Sequence, residues 1–232
     1  MVGVFLTCFD FLPLTRRCLE SFRRTVDAPH RLIAVDNGSR DGTPEFLRRA
    51  GVEVLTGRAP RSLPWVQNRA RSHLLTDPVV DCLCWIHNDM VFYPGWLSGL
   101  LAVLERRPGA GKVSSWNLLD REYTEAEVAE FVRTQGAFLE AGNGNPWVIP
   151  RAAAEAVGPH DEGYVNHAEY EDWDYNNRLL AAGYAVLVTK GSVVWHRAAA
   201  TRYAVRLDGE AANRRRYVAR WGSDAPRVTN LY

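Results

Sequence analysis

The fold is decided by the segment at residues 81–89, which reads D-C-L-C-W-I-H-N-D. Its first six residues are apolar almost throughout, as expected for a central strand whose sheet is covered on both faces. The polar residues His87, Asn88 and Asp89 follow at the carboxyl end of this strand. In open α/β sheets ligands bind beyond the carboxyl ends of strands, so this triplet is a candidate binding site.

Upstream of this segment, strands and helices alternate along the chain. Apolar runs of strand length occupy residues 2–7, 31–35 and 52–55. Helix-start signals follow the first two runs, at Pro13 and at Thr43. Strand, helix, strand, helix, strand is the alternation of an α/β domain with a mostly parallel central sheet.

The rest of the chain adds further elements and then changes character. Strands are predicted at residues 112–116, 147–149, 184–188 and 192–195, and helices at 63–75, 96–104, 123–138, 151–157 and 172–182. The tail from residue 201 is polar and rich in arginine. Because no repeat or linker is evident, we interpret the chain as one domain at residues 1–200 with a short arginine-rich C-terminal extension at 201–232.

The tail arginines have two interpretations. They could pair with an anionic ligand, or they could form the solvated face of a helix, which is the more usual arrangement for like charges. We adopt the solvated face for this set, which comprises Arg202, Arg206, Arg214, Arg215, Arg216 and Arg220.

Length, composition and charge exclude several classes of protein. A chain of 232 residues with 47% hydrophobic residues is long and apolar enough for one large domain with a sizeable core. Its formal net charge of +1 gives no strong signal for nucleic-acid binding. No apolar run approaches the ~20 residues of a membrane helix, and no signal-peptide pattern is present, so we expect a cytoplasmic location.

The four cysteines predict buried thiols. They are Cys8, Cys18, Cys82 and Cys84, and none forms a C-x-x-C pair. Three of them lie within strongly apolar stretches, where cysteine behaves as a small hydrophobic residue. Reduced side chains in the core are therefore favoured over disulfides or a metal site.

Polar groups follow three of the predicted strands, at residues 7–10, 36–37 and 87–89. A carboxylate at the end of a central strand is well placed to hold a hard cation such as Mg²⁺ or Mn²⁺. These ions keep positions for substrate phosphates and so need few protein ligands. Each group taken alone is more typical of a simple turn.

A fourth group concentrates acids at the start of a helix. Glu169, Glu171, Asp172 and Asp174 lie within six residues of one another. One acid there is explained by the helix dipole, whereas four repel each other unless a cation or a polar substrate is near. His196 ends the last predicted strand, and an imidazole completes a mixed nitrogen and oxygen site for Mn²⁺ more readily than for Mg²⁺.

The order of these motifs resembles the family 2 glycosyltransferases of the GT-A fold. Residues 35–43, V-D-N-G-S-R-D-G-T, are similar to that family's V-D-N-G-S-x-D-G-T almost letter for letter. The remaining matches are the opening strand at 2–10, N-R-A at 68–70, H-N-D at 87–89 for D-x-D, V-G-P-H-D-E at 157–162, E-D-W-D-Y-N-N-R-L at 171–179, W-H at 195–196 and the tail at 213–222. The resemblance therefore runs from residue 2 to about residue 222.

The resemblance implies a fold and an activity. The fold would be a Rossmann-like, three-layer α/β/α arrangement, with a nucleotide-sugar and metal half at 1–116 and an acceptor half at 117–200. The activity would move a sugar from a nucleotide-diphosphate sugar to the hydroxyl of a glycan, a lipid-linked sugar or a small molecule. The implied cofactor is Mn²⁺ or Mg²⁺.

The resemblance also assigns residue roles. Asp172 would be the general base that deprotonates the acceptor, which gives inversion at the anomeric carbon. Asp89 and His196 would bind the metal. The nucleotide side would comprise Thr7, Phe9, Asp36, Asn68, Arg69 and Asn88, and the acceptor or sugar side would comprise His87, Trp147 and Glu171.

One departure from the family pattern leaves alternatives open. His87 stands where the family often has the first aspartate of D-x-D, which puts the contact with the sugar in question. A non-catalytic nucleotide- or sugar-binding protein on the same fold is one alternative, and a retaining glycosyltransferase is another. A nucleotidyltransferase is disfavoured because the N-terminus lacks a glycine- and arginine-rich loop. A peripheral position at the inner membrane face and a homodimer are left open.

Overall fold

The computed structural model describes residues 1–57, 60–166, 169–197 and 209–228. In this part of the chain one nine-stranded sheet is flanked by helices. The strands are β1 (Val2–Cys8), β2 (His30–Asp36), β3 (Glu53–Thr56), β4 (Cys82–His87), β5 (Met90–Phe92), β6 (Ala110–Leu118), β7 (Leu139–Ala141), β8 (Trp147–Pro150) and β9 (Ala185–His196). The helices are α1 (Leu12–Thr25), α2 (Thr43–Arg49), α3 (Leu63–Leu74), α4 (Trp96–Arg106), α5 (Glu125–Gln135), α6 (Arg151–Val157), α7 (Glu171–Ala181) and α8 (Glu210–Trp221).

The strands lie in the order β3-β2-β1-β4-β8-β6-β9-β5, and β7 pairs with β9. The longest pairings are parallel: β1 with β2, β1 with β4, and β6 with β9. The short pairings of β8, β5 and β7 are antiparallel. The predicted α/β fold with a mostly parallel central sheet is thereby confirmed, and β4 lies at its centre.

Alternation along the strands divides the core into two layers. On β1, Val4 and Leu6 pack on the side of α1 and α4, whereas Phe5 packs on the side of α3 and α7. Successive side chains of a strand point to opposite faces, so a strand that is apolar throughout fills both layers. The four cysteines are free and buried, as predicted.

The two strands predicted at residues 184–188 and 192–195 are wrong, because this region forms the single strand β9. The intervening Gly191 looks like a turn signal in the sequence. In the structure Gly191 faces Gly99 of α4. A Cβ atom added to Gly99 would collide with the carbonyl oxygen of Gly191. The two glycines therefore allow α4 to pack closely on β9. The register of the β6–β9 pairing shifts at this point, so the strand continues through the extra residues.

The arginine-rich tail forms a helix that packs on the domain. Tyr217 of α8 is fully buried against Tyr164 and Tyr170, and its hydroxyl accepts a 2.7 Å hydrogen bond from Asn177 Nδ2. The described arginines Arg214, Arg215, Arg216 and Arg220 are all exposed, as predicted. The prediction of a purely solvated face is wrong for three of them, because Arg214 pairs with Asp224, Arg216 with Asp161 and Arg220 with Asp174. Arg202 and Arg206 lie outside the described residues.

Replacement of Tyr217 by alanine tests whether this helix contributes to the stability of the domain. Removing a buried aromatic ring leaves a cavity, so we expect the free energy of unfolding to fall by about 3–5 kcal/mol. Urea denaturation measures the change, with Arg215→Ala on the exposed face of α8 as the control. Equal stabilities of the two variants would show that α8 does not pack as described.

Candidate functional site

The turn after β4 meets the end of β9. His87 ends β4, Asn88 and Asp89 form the turn, and β5 then runs antiparallel to β9 with Met90 opposite His196. The Arg197 backbone N–H donates to the Asp89 carbonyl oxygen at 3.1 Å. Pairing with β9 therefore brings His196 beside Asp89, although the two are far apart in sequence.

Three side chains converge at this turn. His87, Asp89 and His196 each offer a ligand atom, and these atoms lie within 4.8 Å of one another. His196 Nε2 lies 3.2 Å from Asp89 Oδ1, and both residues are 7% exposed. Two imidazoles and a carboxylate form a donor set that suits a divalent transition-metal ion.

We call His87, Asp89 and His196 the metal cluster, because they are candidate ligands of one metal ion. The surroundings of Asp89 favour the charged form of its carboxylate. Burial raises the pKa of Asp89, but its interactions with His196 and His87 outweigh burial and lower the pKa overall. Asp89 is therefore an anion at neutral pH, as a metal ligand must be.

Asn117 is a residue that the sequence analysis missed. Its Oδ1 lies 3.3 Å from His196 Nδ1, and it is almost fully buried on β6. A partner on one ring nitrogen fixes the orientation of the other, so Asn117 holds Nε2 of His196 towards Asp89. No motif of the sequence marked this asparagine.

Asp36 ends β2 and is fully buried. Its Oδ2 accepts hydrogen bonds from the backbone N–H groups of Gly38 and Ser39, each at 3.1 Å. Burial raises its pKa even though these bonds oppose the shift. Its Oδ1 is buried without a hydrogen-bond partner among the described residues, which leaves one acceptor for a donor group of a ligand.

The loops after β1 and β2 are tied together. The Asp10 backbone N–H donates to Ser39 Oγ at 2.7 Å, and the Arg40 N–H donates to Asp10 Oδ1 at 2.7 Å. Asp10 and Phe11 have φ angles of 53° and 60°, which non-glycine residues adopt only where surrounding contacts enforce them. Asn88 Nδ2 contributes such a contact, a 3.1 Å bond to the Asp10 carbonyl.

Thr7 lies near the end of β1, and Phe9 directly follows that strand. The Thr7 hydroxyl donates to the Ile86 carbonyl at 3.5 Å and accepts from Trp85 Nε1 at 3.1 Å, so it ties β1 to β4. Phe9 is half-buried directly after β1. Their contacts with a nucleotide, like that of Asn88, remain predictions.

Asn68 and Arg69 have different surroundings on α3. Asn68 Nδ2 donates to the His160 carbonyl at 2.9 Å and to Glu162 Oε1 at 2.8 Å, while its Oδ1 accepts from the His160 N–H at 2.8 Å. Asn68 therefore fastens α3 to the loop before α7. Arg69 is exposed on the same helix.

The acids at the start of α7 divide into two kinds. Asp174 is 1% exposed and pairs with Arg178 at 3.0 Å and with Arg220 at 3.2 Å. The argument that all four acids need an external cation is therefore wrong for Asp174, because arginines of the protein neutralise it. Glu171 is buried, whereas Asp172 is half-buried and its Oδ1 has no hydrogen-bond partner among the described residues.

Trp147 is linked to His87 of the metal cluster through the ring of Trp85. Its ring packs against Trp85 at 5.5 Å and Phe5 at 5.8 Å between centroids, and the Trp85 ring in turn lies 4.2 Å from that of His87. Trp147 itself is 2% exposed. Its contact with an acceptor remains a prediction.

Comparison with known proteins places most of this chain in one family. The sequence profile described as glycosyl transferase family 2 matches residues 4–144. Among curated proteins, the chain is similar to an N-acetylglucosaminyl-diphospho-decaprenol L-rhamnosyltransferase of Mycobacterium tuberculosis. The two are 26% identical over 232 residues, with 82% of this chain and 74% of the relative covered.

Solved structures with the same fold include two glycosyltransferases. A mannosyltransferase from Pyrobaculum calidifontis in complex with GDP-Man and Mn²⁺ superposes with a TM-score of 0.64 at 18% identity, over 84% of this chain and 56% of the other. GalNAc-T7 with UDP, GalNAc and Mn²⁺ superposes with a TM-score of 0.68 at 13% identity, over 96% of this chain and 49% of the other. The chain thus spans about half the length of these two structures, and the likeness shows the fold alone.

Helix length and polarity bear on membrane association. Within residues 1–57, 60–166, 169–197 and 209–228, every helix is too short or too polar to span a bilayer.

Proposed function

Because this chain belongs to glycosyl transferase family 2, we propose that it is a metal-dependent, inverting glycosyltransferase with Asp172 as its general base. The observation that carries this proposal is the convergence of His87, Asp89 and His196 at the carboxyl end of the central strand. A carboxylate oxygen without a partner, Asp172 Oδ1, supports the assignment of the base.

The metal cluster would hold a divalent cation through His87, Asp89 and His196. This changes the expected role of His87 from a sugar contact to a third metal ligand. When bound, the cation would neutralise charge on the diphosphate leaving group. Two imidazoles favour Mn²⁺ and its transition-metal neighbours over Mg²⁺, which prefers oxygen ligands.

Asp172 would act on the acceptor. As the acceptor oxygen forms its bond to the anomeric carbon, Asp172 takes the hydroxyl proton. The bond between the anomeric carbon and the phosphate oxygen breaks, and its electron pair leaves with the nucleoside diphosphate. A single direct displacement inverts the anomeric configuration, so NMR of the product anomer separates this mechanism from the retaining alternative.

The donor would lie over the two tied loops. Asp36 Oδ1 is a buried acceptor that suits a hydroxyl of the ribose or an N–H of the base. The linked turns at Asp10 and Ser39 would hold this side of the pocket rigid before the donor binds. The metal site would then combine His87 and Asp89 from the donor half at residues 1–116 with His196 from the acceptor half at 117–200.

The acceptor class has one line of support. The mycobacterial relative is named for a glycan diphospho-lipid acceptor, and its similarity covers 82% of this chain. A lipid-diphosphate-linked sugar is therefore the first acceptor to test, beside free glycans and small molecules. Release of nucleoside diphosphate that depends on an added acceptor would support transfer. A donor that binds without any turnover would support the non-catalytic alternative.

The proposed ligand set predicts a metal preference. In a thermal-shift screen of UDP-, GDP- and dTDP-sugars, the matching donor at about 100 times its Kd should stabilise the protein by about 2.7 kcal/mol. Mn²⁺ should support this shift and Mg²⁺ should support little of it, because two ligands are nitrogen. His87→Asp should narrow the difference between the shifts with Mn²⁺ and with Mg²⁺, because it supplies an oxygen ligand. Equal shifts with both ions in the wild type would contradict a role for His87 in binding the metal.

A further inference from the structure

Lys112 is a buried cation that the proposed mechanism does not yet use. It lies on β6 at 1% exposure and is one of two lysines in the chain. Its Nζ donates to Asn143 Oδ1 at 2.7 Å and to Asn176 Oδ1 at 3.1 Å, and lies 5.2 Å from the centre of the Trp147 ring. Burial of an ammonium group costs several kcal/mol unless it is compensated, so its presence here needs an explanation.

The contacts of Lys112 connect three parts of the acceptor half. Asn143 lies in the loop between β7 and β8, and Trp147 begins β8. Asn176 lies on α7, one turn after Asp172, and residues spaced by four share a face of a helix. One ammonium group thus holds the loop and the helix that carries Asp172.

The charge on Lys112 also acts on Asp172. Burial lowers the pKa of Lys112 to about 8, and attraction to the Asp172 carboxylate opposes that shift. The ammonium group and the Asp172 carboxylate therefore attract each other. Lys112 remains mostly protonated at pH 7 and loses its charge as the pH rises through about 8.

Two neighbouring titratable groups, His160 and Tyr175, have pKa values shifted away from neutrality. Burial lowers the pKa of His160 well below its usual value, and the charges of Arg178, Lys112 and Arg71 lower it further. Burial raises the pKa of Tyr175, which packs on His160. A response of this region to pH near 8 is therefore expected to come from Lys112.

We propose that Lys112 is a positioning residue for Asp172, holding the base in place through Asn176. This inference rests on the proposed role of Asp172 as general base. It gives the buried ammonium a function in transfer, although the acceptor does not touch it.

The test is the dependence of kcat on pH in Lys112→Met, which keeps the length of the side chain and removes its charge. The variant loses the bonds that tie α7 to β6 and to the loop at Asn143, so kcat should fall by up to about 10²-fold while donor binding is retained. The decline of kcat above about pH 8 in the wild type should disappear. Lys190→Met, which removes the other lysine from its place over Trp116, is the matched control and should leave kcat and its pH dependence unchanged.

A second variant protects the test if Lys112→Met does not fold. Asn176→Asp keeps the side-chain shape and places a carboxylate at the atom that now lies 3.1 Å from Nζ, so Lys112 should keep its charge to higher pH and the decline of kcat above about pH 8 should move to higher pH. If Asp172→Asn abolishes transfer while the folded variants at 112 and 176 keep the wild-type profile, the role of Lys112 is wrong. If Asp172→Asn retains transfer, the proposed base itself is wrong.

Discussion

Asp172→Asn is expected to lower kcat by about 10²–10⁴-fold, the range that a positioned general base contributes. The amide has nearly the shape of the carboxylate but cannot take a proton from the acceptor hydroxyl. Binding of the nucleotide sugar should remain, because the proposed donor contacts lie at Asp36 and in the metal cluster. Steady-state transfer rates, together with calorimetric titration of the donor, measure the two effects separately.

Glu169→Gln is the matched control for this variant. Glu169 is an exposed acid three residues before Asp172, and its substitution should leave kcat unchanged. A loss of donor binding in Asp172→Asn would place the residue on the donor side. If Asp172→Asn turned over as fast as the wild type, Asp172 would not be the general base of a direct displacement.

Asp89→Asn should have the second large effect. The variant removes the only anion of the metal cluster and leaves two imidazoles, so Mn²⁺ would lose the one charged ligand that we propose for it. Charge stabilisation by the metal is worth several kcal/mol, and 1.36 kcal/mol corresponds to tenfold, so we expect kcat/KM to fall by roughly 10³-fold. Titration of free Mn²⁺ by electron paramagnetic resonance should show weakened binding of the ion itself.

Asp81→Asn supplies the control for Asp89→Asn. Asp81 lies next to the opposite end of β4, is exposed, and pairs with the N-terminal ammonium at 2.9 Å. Exposed pairs contribute about 0–1 kcal/mol, so this variant should retain both Mn²⁺ affinity and turnover. Wild-type Mn²⁺ affinity in Asp89→Asn would mean that the ion binds elsewhere.

The sequence predicted the first half of the fold because each element there has a local signal. The apolar run at 81–86 is observed as β4 within one residue at each end. The helix starts at Pro13 and Thr43 are also close to those of α1 and α2. In parallel α/β segments the strands are buried on both faces, so an apolar run and a following turn suffice to identify them.

The second half was harder to predict because its elements depend on distant partners. Gly191 looks like a break, yet its role is set by Gly99 of α4, which no local pattern shows. Likewise no local pattern marks Asn117 or Lys112 within β6. The pairing of β6 with β9 brings Asn117 to His196, and the packing of α7 on β6 brings Lys112 to Asn176.

The proposed role of His87 as a metal ligand could likewise not be predicted from local sequence. Its sequence position indicates a departure from D-x-D, but the sequence does not show that β5 folds back and brings His196 within reach. The structure supplies this missing distance, with ligand atoms of His87, Asp89 and His196 within 4.8 Å. This proximity supports our proposal that the departure changes the metal ligands and does not remove the site.

Calorimetric titration of a nucleoside diphosphate into the wild-type protein, with Mn²⁺ and again with a chelator, tests the central claim most directly. We predict one binding site per chain when Mn²⁺ is present and little or no binding when the metal is removed. Equal affinity under both conditions, or no binding under either, would contradict a metal-dependent donor site at His87, Asp89 and His196.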